Sequence, residues 1–178
     1  KPSFLKAAPF TLGVASGDPS ATSVVLWTRL APDPTADDGA GGMPATAVQV
    51  ACDVASDRAF TQMVASTTQV ATADHGHSVH VHATDLEPGT TYWYRFRVGD
   101  ETSTVGRTQT LPSGTPDRFG LAITNCQMYE SGTYAAWRHL VDEDGVDLVA
   151  FLGDYIYEFP GGTGDGRDTP ARWLEPRA

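Results

Sequence analysis

Two prolines and a glycine fall within Leu111-Pro112-Ser113-Gly114-Thr115-Pro116, and at this point the hydrophobic pattern of the chain changes period. That change constrains the fold more than any other feature. Before it, short apolar runs recur at 10–15, 23–30, 47–54, 69–71 with its neighbours, 79–84, 91–98 and 104–110. Turn-forming clusters separate them: Gly17-Asp18-Pro19, an Asp- and Gly-rich loop over 32–44, Pro88-Gly89 and Gly99-Asp100. Short strands at this spacing, with no helix between them, predict a β-sandwich. After the break, 119–124 is a short apolar run suited to a buried strand. Residues 132–144 place Ala135, Ala136, Leu140 and Val141 at helical spacing. Ser131 stands where an N-cap belongs and Gly145 where a C-cap glycine belongs. A second apolar run over 146–152 closes on Gly153. Strand, helix, strand is a βαβ unit, with its strands as parallel neighbours joined by a right-handed crossover. The expected division is a sandwich over 1–111, a linker over 112–117 and the start of an α/β domain over 118–178. A single βαβ unit does not cover both faces of a parallel sheet. The rest of that domain is therefore expected in a C-terminal remainder or on a second polypeptide.

The sandwich carries a more specific signal. Leu86-Glu87-Pro88-Gly89-Thr90-Thr91-Tyr92-Trp93-Tyr94 has the pattern L-x-P-G-T-x-Y-x-Y, which resembles the turn entering the penultimate strand of fibronectin type III domains. The resemblance implies that Pro and Gly set the turn and that a tyrosine hydroxyl closes the corner. Tyr92 and Tyr94 should share one face of the strand, with Trp93 and Arg95 on the other.

Charge narrows the partners. The 178 residues carry a formal net charge of -10, which argues against a nucleic-acid partner and against electrostatic docking on anionic membranes. An acidic protein still acts on phosphate esters if bound cations supply the local positive charge. No run approaches the length of a transmembrane segment. The two cysteines, Cys52 and Cys126, permit one disulfide at most. The chain starts at Lys1 and shows no signal-peptide core, so it is read as a mature, secreted chain whose export signal has been removed.

In open α/β sheets, ligands bind beyond the carboxyl ends of the strands. Here those ends read Thr124-Asn125-Cys126-Gln127 and Gly153-Asp154-Tyr155-Ile156-Tyr157-Glu158. If the strands are neighbours, a thiol, a carboxylate and a phenol emerge at one edge. Their anionic donors suit a trivalent metal ion, and the second oxygen of Asp154 could bridge to another ion.

Gly153-Asp154-x-x-Tyr157 resembles the G-D-x-x-Y motif of purple acid phosphatases, where the Asp bridges two metals and the Tyr binds ferric iron. Four segments resemble the PhoD-like alkaline phosphatases: Phe10-Thr11-Leu12-Gly13-Val14-Ala15-Ser16-Gly17-Asp18-Pro19, Val25-Leu26-Trp27-Thr28-Arg29-Leu30, Asn125-Cys126-Gln127 and Leu152-Gly153-Asp154-Tyr155-Ile156-Tyr157-Glu158. That family joins a small N-terminal β domain to a metallophosphoesterase domain, and it includes secreted phosphodiesterases, among them an actinomycete phospholipase D type. The resemblance implies hydrolysis of phosphodiesters or phosphomonoesters, or of phospholipids, by a metal-activated hydroxide. It implies Fe3+ with a divalent companion, Ca2+ first and Mn2+ or Zn2+ as alternatives. Cys126, Asp154 and Tyr157 then correspond to the iron ligands, with Asp154 catalytic. The sequence departs from the wider superfamily where Cys126 stands in place of the D-x-H motif. Neither G-N-H nor G-H-x-H occurs in these residues, so further ligands are expected outside them.

Blander readings stand beside these. Cys126 alone could be a small apolar residue, Asp154 a cap and Tyr157 a packing side chain. Tyr155 and Glu158 read as structural or supporting. His75, His77, His80 and His82 read as a solvated strand region, Cys52 as a core thiol, and Trp27, Trp93 and Tyr92 as packing aromatics. Asp142, Glu143 and Asp144 read as an acidic patch that opposes the helix dipole. The rival function is a non-enzymatic adhesion module built on the fibronectin-like domain, which has no use for the paired strand ends.

Overall fold

The computed structural model describes residues 7–127, 134–143, 145–155 and 157. The chain divides into two compact units, Lys1–Thr115 and Pro116–Ala178.

The first unit is a sandwich of antiparallel strands. They are β1 (Val14–Gly17), β2 (Val24–Arg29), β3 (Val48–Ala55), β4 (Met63–Ala71), β5 (Ser78–Ala83), β6 (Thr91–Val98), β7 (Glu101–Thr102) and β8 (Gly106–Gln109). One sheet runs β1-β2-β5; the other runs β4-β3-β6, with β7 and β8 both paired to β6. Alternation fixes which faces meet. On β6, Tyr92, Tyr94, Phe96 and Val98 are buried, while Trp93, Arg95 and Arg97 lie on the opposite, half-exposed face. On β2, Val24 and Leu26 point inward with Thr28. These side chains, with Val50, Cys52 and Val54 of β3 and Val79 and Val81 of β5, form one core. Each large apolar side chain fully removed from water contributes roughly 1.5–3 kcal/mol before entropy is counted.

The corner expected at Tyr92 is present: the Glu87 amide donates to the Tyr92 hydroxyl at 2.8 Å. Asp53 sits on the outer face of β3 and yet is 3% exposed. It accepts hydrogen bonds from Arg97 Nε at 2.7 Å, Arg95 Nε at 3.1 Å and Ser66 at 2.9 Å. Cys52 is buried and free, so no disulfide forms with Cys126.

Three strand boundaries depart from the sequence reading. The run at 10–15 does not begin a strand until Val14, because Gly13, at φ 72°, closes a turn back to the Phe10 carbonyl. The short piece expected near 69–71 is the nine-residue β4, whose polar and exposed residues hide any alternation. The run at 104–110 shortens to β8, and the Gly99-Asp100 turn adds the two-residue β7.

The second unit contains β9 (Leu121–Thr124), α1 (Ala135–Asp142) and β10 (Leu148–Phe151). The strands pair in parallel, Leu121 with Leu148 through Thr124 with Phe151. The helix starts later than expected. Its N-cap is Tyr134, at φ 55° and with no side-chain cap bond, and the expected cap Ser131 lies outside the described residues. Glu143 is the C-cap, its amide bonded to the Leu140 carbonyl, and Gly145, at φ 88°, forms the left-handed turn two residues later. At the start of the sheet, the Gly120 amide donates to Asp147 at 2.8 Å, and its carbonyl accepts from the Asp147 and Leu148 amides. Leu121 is 50% exposed, Ile123 61% and Leu152 67%, so the face of this two-stranded piece that carries them is uncovered among the described residues. The fold is thus a β-sandwich followed by the opening βαβ unit of an α/β domain.

Candidate metal centre

The parallel register brings both strands to an end at one edge, where Thr124 stands opposite Phe151. The backbones stay paired beyond the strands. The Leu152 amide donates to the Thr124 carbonyl at 2.9 Å, Cys126 to Gly153 at 3.4 Å and Gln127 to Asp154 at 3.0 Å. Cys126 and Asp154 therefore sit side by side, although 28 residues separate them in sequence.

Their backbones are unusual. Cys126 has φ 55° and Asp154 φ 48°, both left-handed, and Gly153, between β10 and Asp154, has φ 137°. A side chain in that region costs about 1–2 kcal/mol relative to ordinary backbone, which is why glycine normally occupies it. Gly153 meets no such cost. These turns swing both side chains to the same edge. The Cys126 sulfur lies 3.4 Å from Asp154 Oδ2 and donates to it as a thiol. Tyr157 joins them. Its phenol is pushed up to about 12, first by a hydrogen bond with the Cys126 side chain, then by partial burial and by the charge of Asp154. The phenol thus stays protonated while the cluster holds only protons, and a cation in their place would reverse that preference.

One thiol, one carboxylate and one phenol gather at this edge, and once deprotonated they are anionic donors that could hold a trivalent ion. Cys126 and Asp154 are both exposed, so the edge is open to solvent. The set is too small to saturate an ion by itself. Among the described residues, no group of three or more His, Cys, Asp or Glu side chains gathers in metal-binding range.

The helix supplies a support that the sequence reading missed. Trp137 donates its indole N–H to Gln127 Oε1 at 2.8 Å, beside Cys126. The same indole stacks on Phe151 at 5.3 Å, and Phe151 meets Tyr155 edge-on at 4.9 Å. One side chain therefore braces the ends of both strands. Trp137 falls within the helix already read from the sequence, and a tryptophan there, facing an Asn-Cys-Gln strand end, was the available signal. Tyr155, read as structural or supporting, makes that ring contact with Phe151, and Glu158 lies outside the described residues. The histidines gather no site. His75, His80 and His82 are exposed, whereas His77 is buried, with Nε2 3.3 Å from the Thr46 carbonyl. His77 is therefore a core histidine and not part of a solvated face.

Comparison with known proteins identifies the family. Residues 2–112 match the PhoD-like phosphatase N-terminal domain, and residues 121–177 match the PhoD-like phosphatase domain. Alkaline phosphatase D of Bacillus subtilis (strain 168) is 52% identical over 153 residues, covering 85% of this chain and 26% of that protein. A solved structure of PhoD superposes with a TM-score of 0.82 at 50% identity, covering 88% of this chain and 30% of that one. The chain thus spans under a third of the length of these relatives. It belongs to the PhoD-like phosphatase family.

Proposed function

We propose that the two strand ends form part of the metal centre of a phosphoric-ester hydrolase, with Cys126, Asp154 and Tyr157 holding one ferric ion. The observation that carries this reading is the convergence of thiol, carboxylate and phenol, with Cys126 Sγ 3.4 Å from Asp154 Oδ2 and Tyr157 hydrogen-bonded to Cys126. Two neighbouring left-handed side chains add support, since strain of that kind clusters at functional sites. A bound ferric ion with a divalent companion, Ca2+ first, would supply Lewis-acid polarisation and a nucleophile at neutral pH.

The chain's own contribution is placement. Asp154 presents one oxygen toward the Cys126 side and leaves the other for a second ion. Cys126 and Tyr157 give up their protons on loading, so binding strengthens as pH rises. Trp137 keeps the two ends in register. Further ligands come from outside the described residues, on the C-terminal remainder or a partner polypeptide. The substrate is a phosphodiester or phosphomonoester, with phospholipids within range as for a phospholipase D. Export belongs to the same proposal, by likeness to secreted members of the family.

Asp154→Asn tests the reading in the intact protein. Asparagine tolerates the left-handed backbone, so the fold should survive. Removing a metal-ligating charge takes away several kcal/mol of transition-state stabilisation, so hydrolysis of a chromogenic phosphodiester should fall at least about 100-fold. Iron content should fall with it, and so should the visible charge-transfer band that thiolate and phenolate give on ferric iron. Undiminished activity and colour in the variant would sink the assignment.

A further inference from the structure

The nine residues of β4, Met63–Ala71, form one edge of the larger sheet and, among the described residues, pair with β3 alone. An open edge presents unpaired amides and carbonyls, which proteins ordinarily protect with charge, proline, brevity or a bulge. The other strands at sheet margins follow that rule: β1 and β8 have four residues each, β7 has two, and β5 places His80 and His82 on its exposed face. β4 does not. From Gln62 to Thr72 there is no charged residue and no proline. Its one protective device is a bulge at Val64, the extra residue where Val54 and Ala55 of β3 face Ala65 and Met63, and it lies at the beginning of the strand, leaving Ala65–Ala71 regular. Eight of the nine residues are not buried, and Met63, Val64 and Val70 are 47%, 43% and 55% exposed.

We propose that β4 is an association edge through which two copies of this chain pair, antiparallel, about a two-fold axis near Thr67. An uncharged strand suits its own copy, because no like charges meet along the ladder. A symmetric pair uses the same patch twice. Centring on Thr67 lays the whole stretch from Gln62 to Thr72 against itself. It also brings the exposed Arg58 at one end of each strand toward the exposed Asp74 beyond the other end of its copy. Main-chain pairing of one strand per copy buries less than a stable interface needs, so the dimer is weak and exchanging.

Sedimentation of the intact protein from about 1 to 100 μM should show concentration-dependent dimerisation. Amide exchange should slow over 63–71 as concentration rises. Thr67→Lys and Thr67→Glu each set like charges against each other on the axis, so either variant alone should dissociate at least 10-fold more readily. An equimolar mixture of the two should pair again, which also shows that both variants fold. A protein that stays monomeric throughout this range would overturn the proposal. So would association that neither variant weakens, or a mixture no better paired than its components.

Discussion

Gly106→Ala is a substitution whose cost can be worked from the core outward. Gly106 opens β8, opposite Tyr94 in the register. A Cβ built there falls 2.3 Å from Tyr94 Cζ, 2.5 Å from Cε1 and 2.7 Å from the hydroxyl oxygen. Carbon atoms pack comfortably at about 3.5–4.0 Å, so the ring must retreat by about 1 Å or more. It has little room. Tyr94 is 2% exposed and meets Phe96 edge-on at 6.2 Å, 88° between planes. Its hydroxyl is hydrogen-bonded to Ser16, and burial pushes it up to about 12. Overpacking of this kind costs about 1–3 kcal/mol, and disturbing the edge-on pair adds about 0.5–1.5. Alanine recovers about 0.5–1 kcal/mol of chain entropy relative to glycine in a strand. The balance is a loss of about 2–3 kcal/mol, which lowers the melting temperature of a unit this size by about 10 °C. Calorimetry of the variant measures it directly. A double-mutant cycle with Tyr94→Leu isolates the cause, because without the ring Gly106→Ala should cost under about 1 kcal/mol. A variant melting within about 2 °C of the parent, or one equally damaged in both backgrounds, refutes the reasoning.

Two further outcomes follow from the titrating groups. The Cys52 thiol is pushed up to about 12, by burial first and then by the charge of Asp53, so alkylation of native protein should modify Cys126 alone, and denaturant should expose the second thiol; loading with ferric iron should slow the Cys126 reaction, and an unchanged rate would contradict its role as ligand. Burial works to raise the Asp53 carboxyl, but hydrogen bonds from Arg97, Ser66 and Arg95 outweigh it and hold the group below the usual carboxylate range. A depressed folded pKa gives stability that is full above the unfolded value, about 3.9, and is lost as pH falls through the folded value. Asp53→Asn should therefore flatten the acid side of the stability profile below about pH 4, and a profile as steep as the parent's would count against the network.

Much of the sandwich was legible because its strands alternate cleanly. The span 91–98 coincides with β6, and Pro88-Gly89 with Tyr92 announced the corner that the Glu87 amide closes. β4 was nearly invisible for the opposite reason. With one edge unpaired among the described residues and almost no buried side chain, its sequence answers to no core and carries no period. The start of β1 was misplaced because the left-handed turn at Gly13 overrides the apolar run around it. His77 read as surface because a histidine spaced among surface histidines gives no sign that its neighbours bury it.

The candidate site shows a different division. Residue types and spacing named Cys126, Asp154 and Tyr157, because parallel neighbours must end at a common edge. Neither the left-handed turns nor the brace from Trp137 follows from composition, since both depend on how the helix lands on the strand ends. The energetics link these parts. Two left-handed side chains cost about 1–2 kcal/mol each, and a two-stranded sheet is marginal on its own. With Leu121, Ile123 and Leu152 half or more exposed, the described residues do not bury enough apolar surface to offset that strain. On the proposed function, the geometry of Cys126 and Asp154 therefore depends on whatever covers these strands in the assembled domain. If Cys126 and Asp154 hold a metal as proposed, stability of the sheet and affinity for metal should rise and fall together, because a cover that buried Ile123 would also hold the two strained turns.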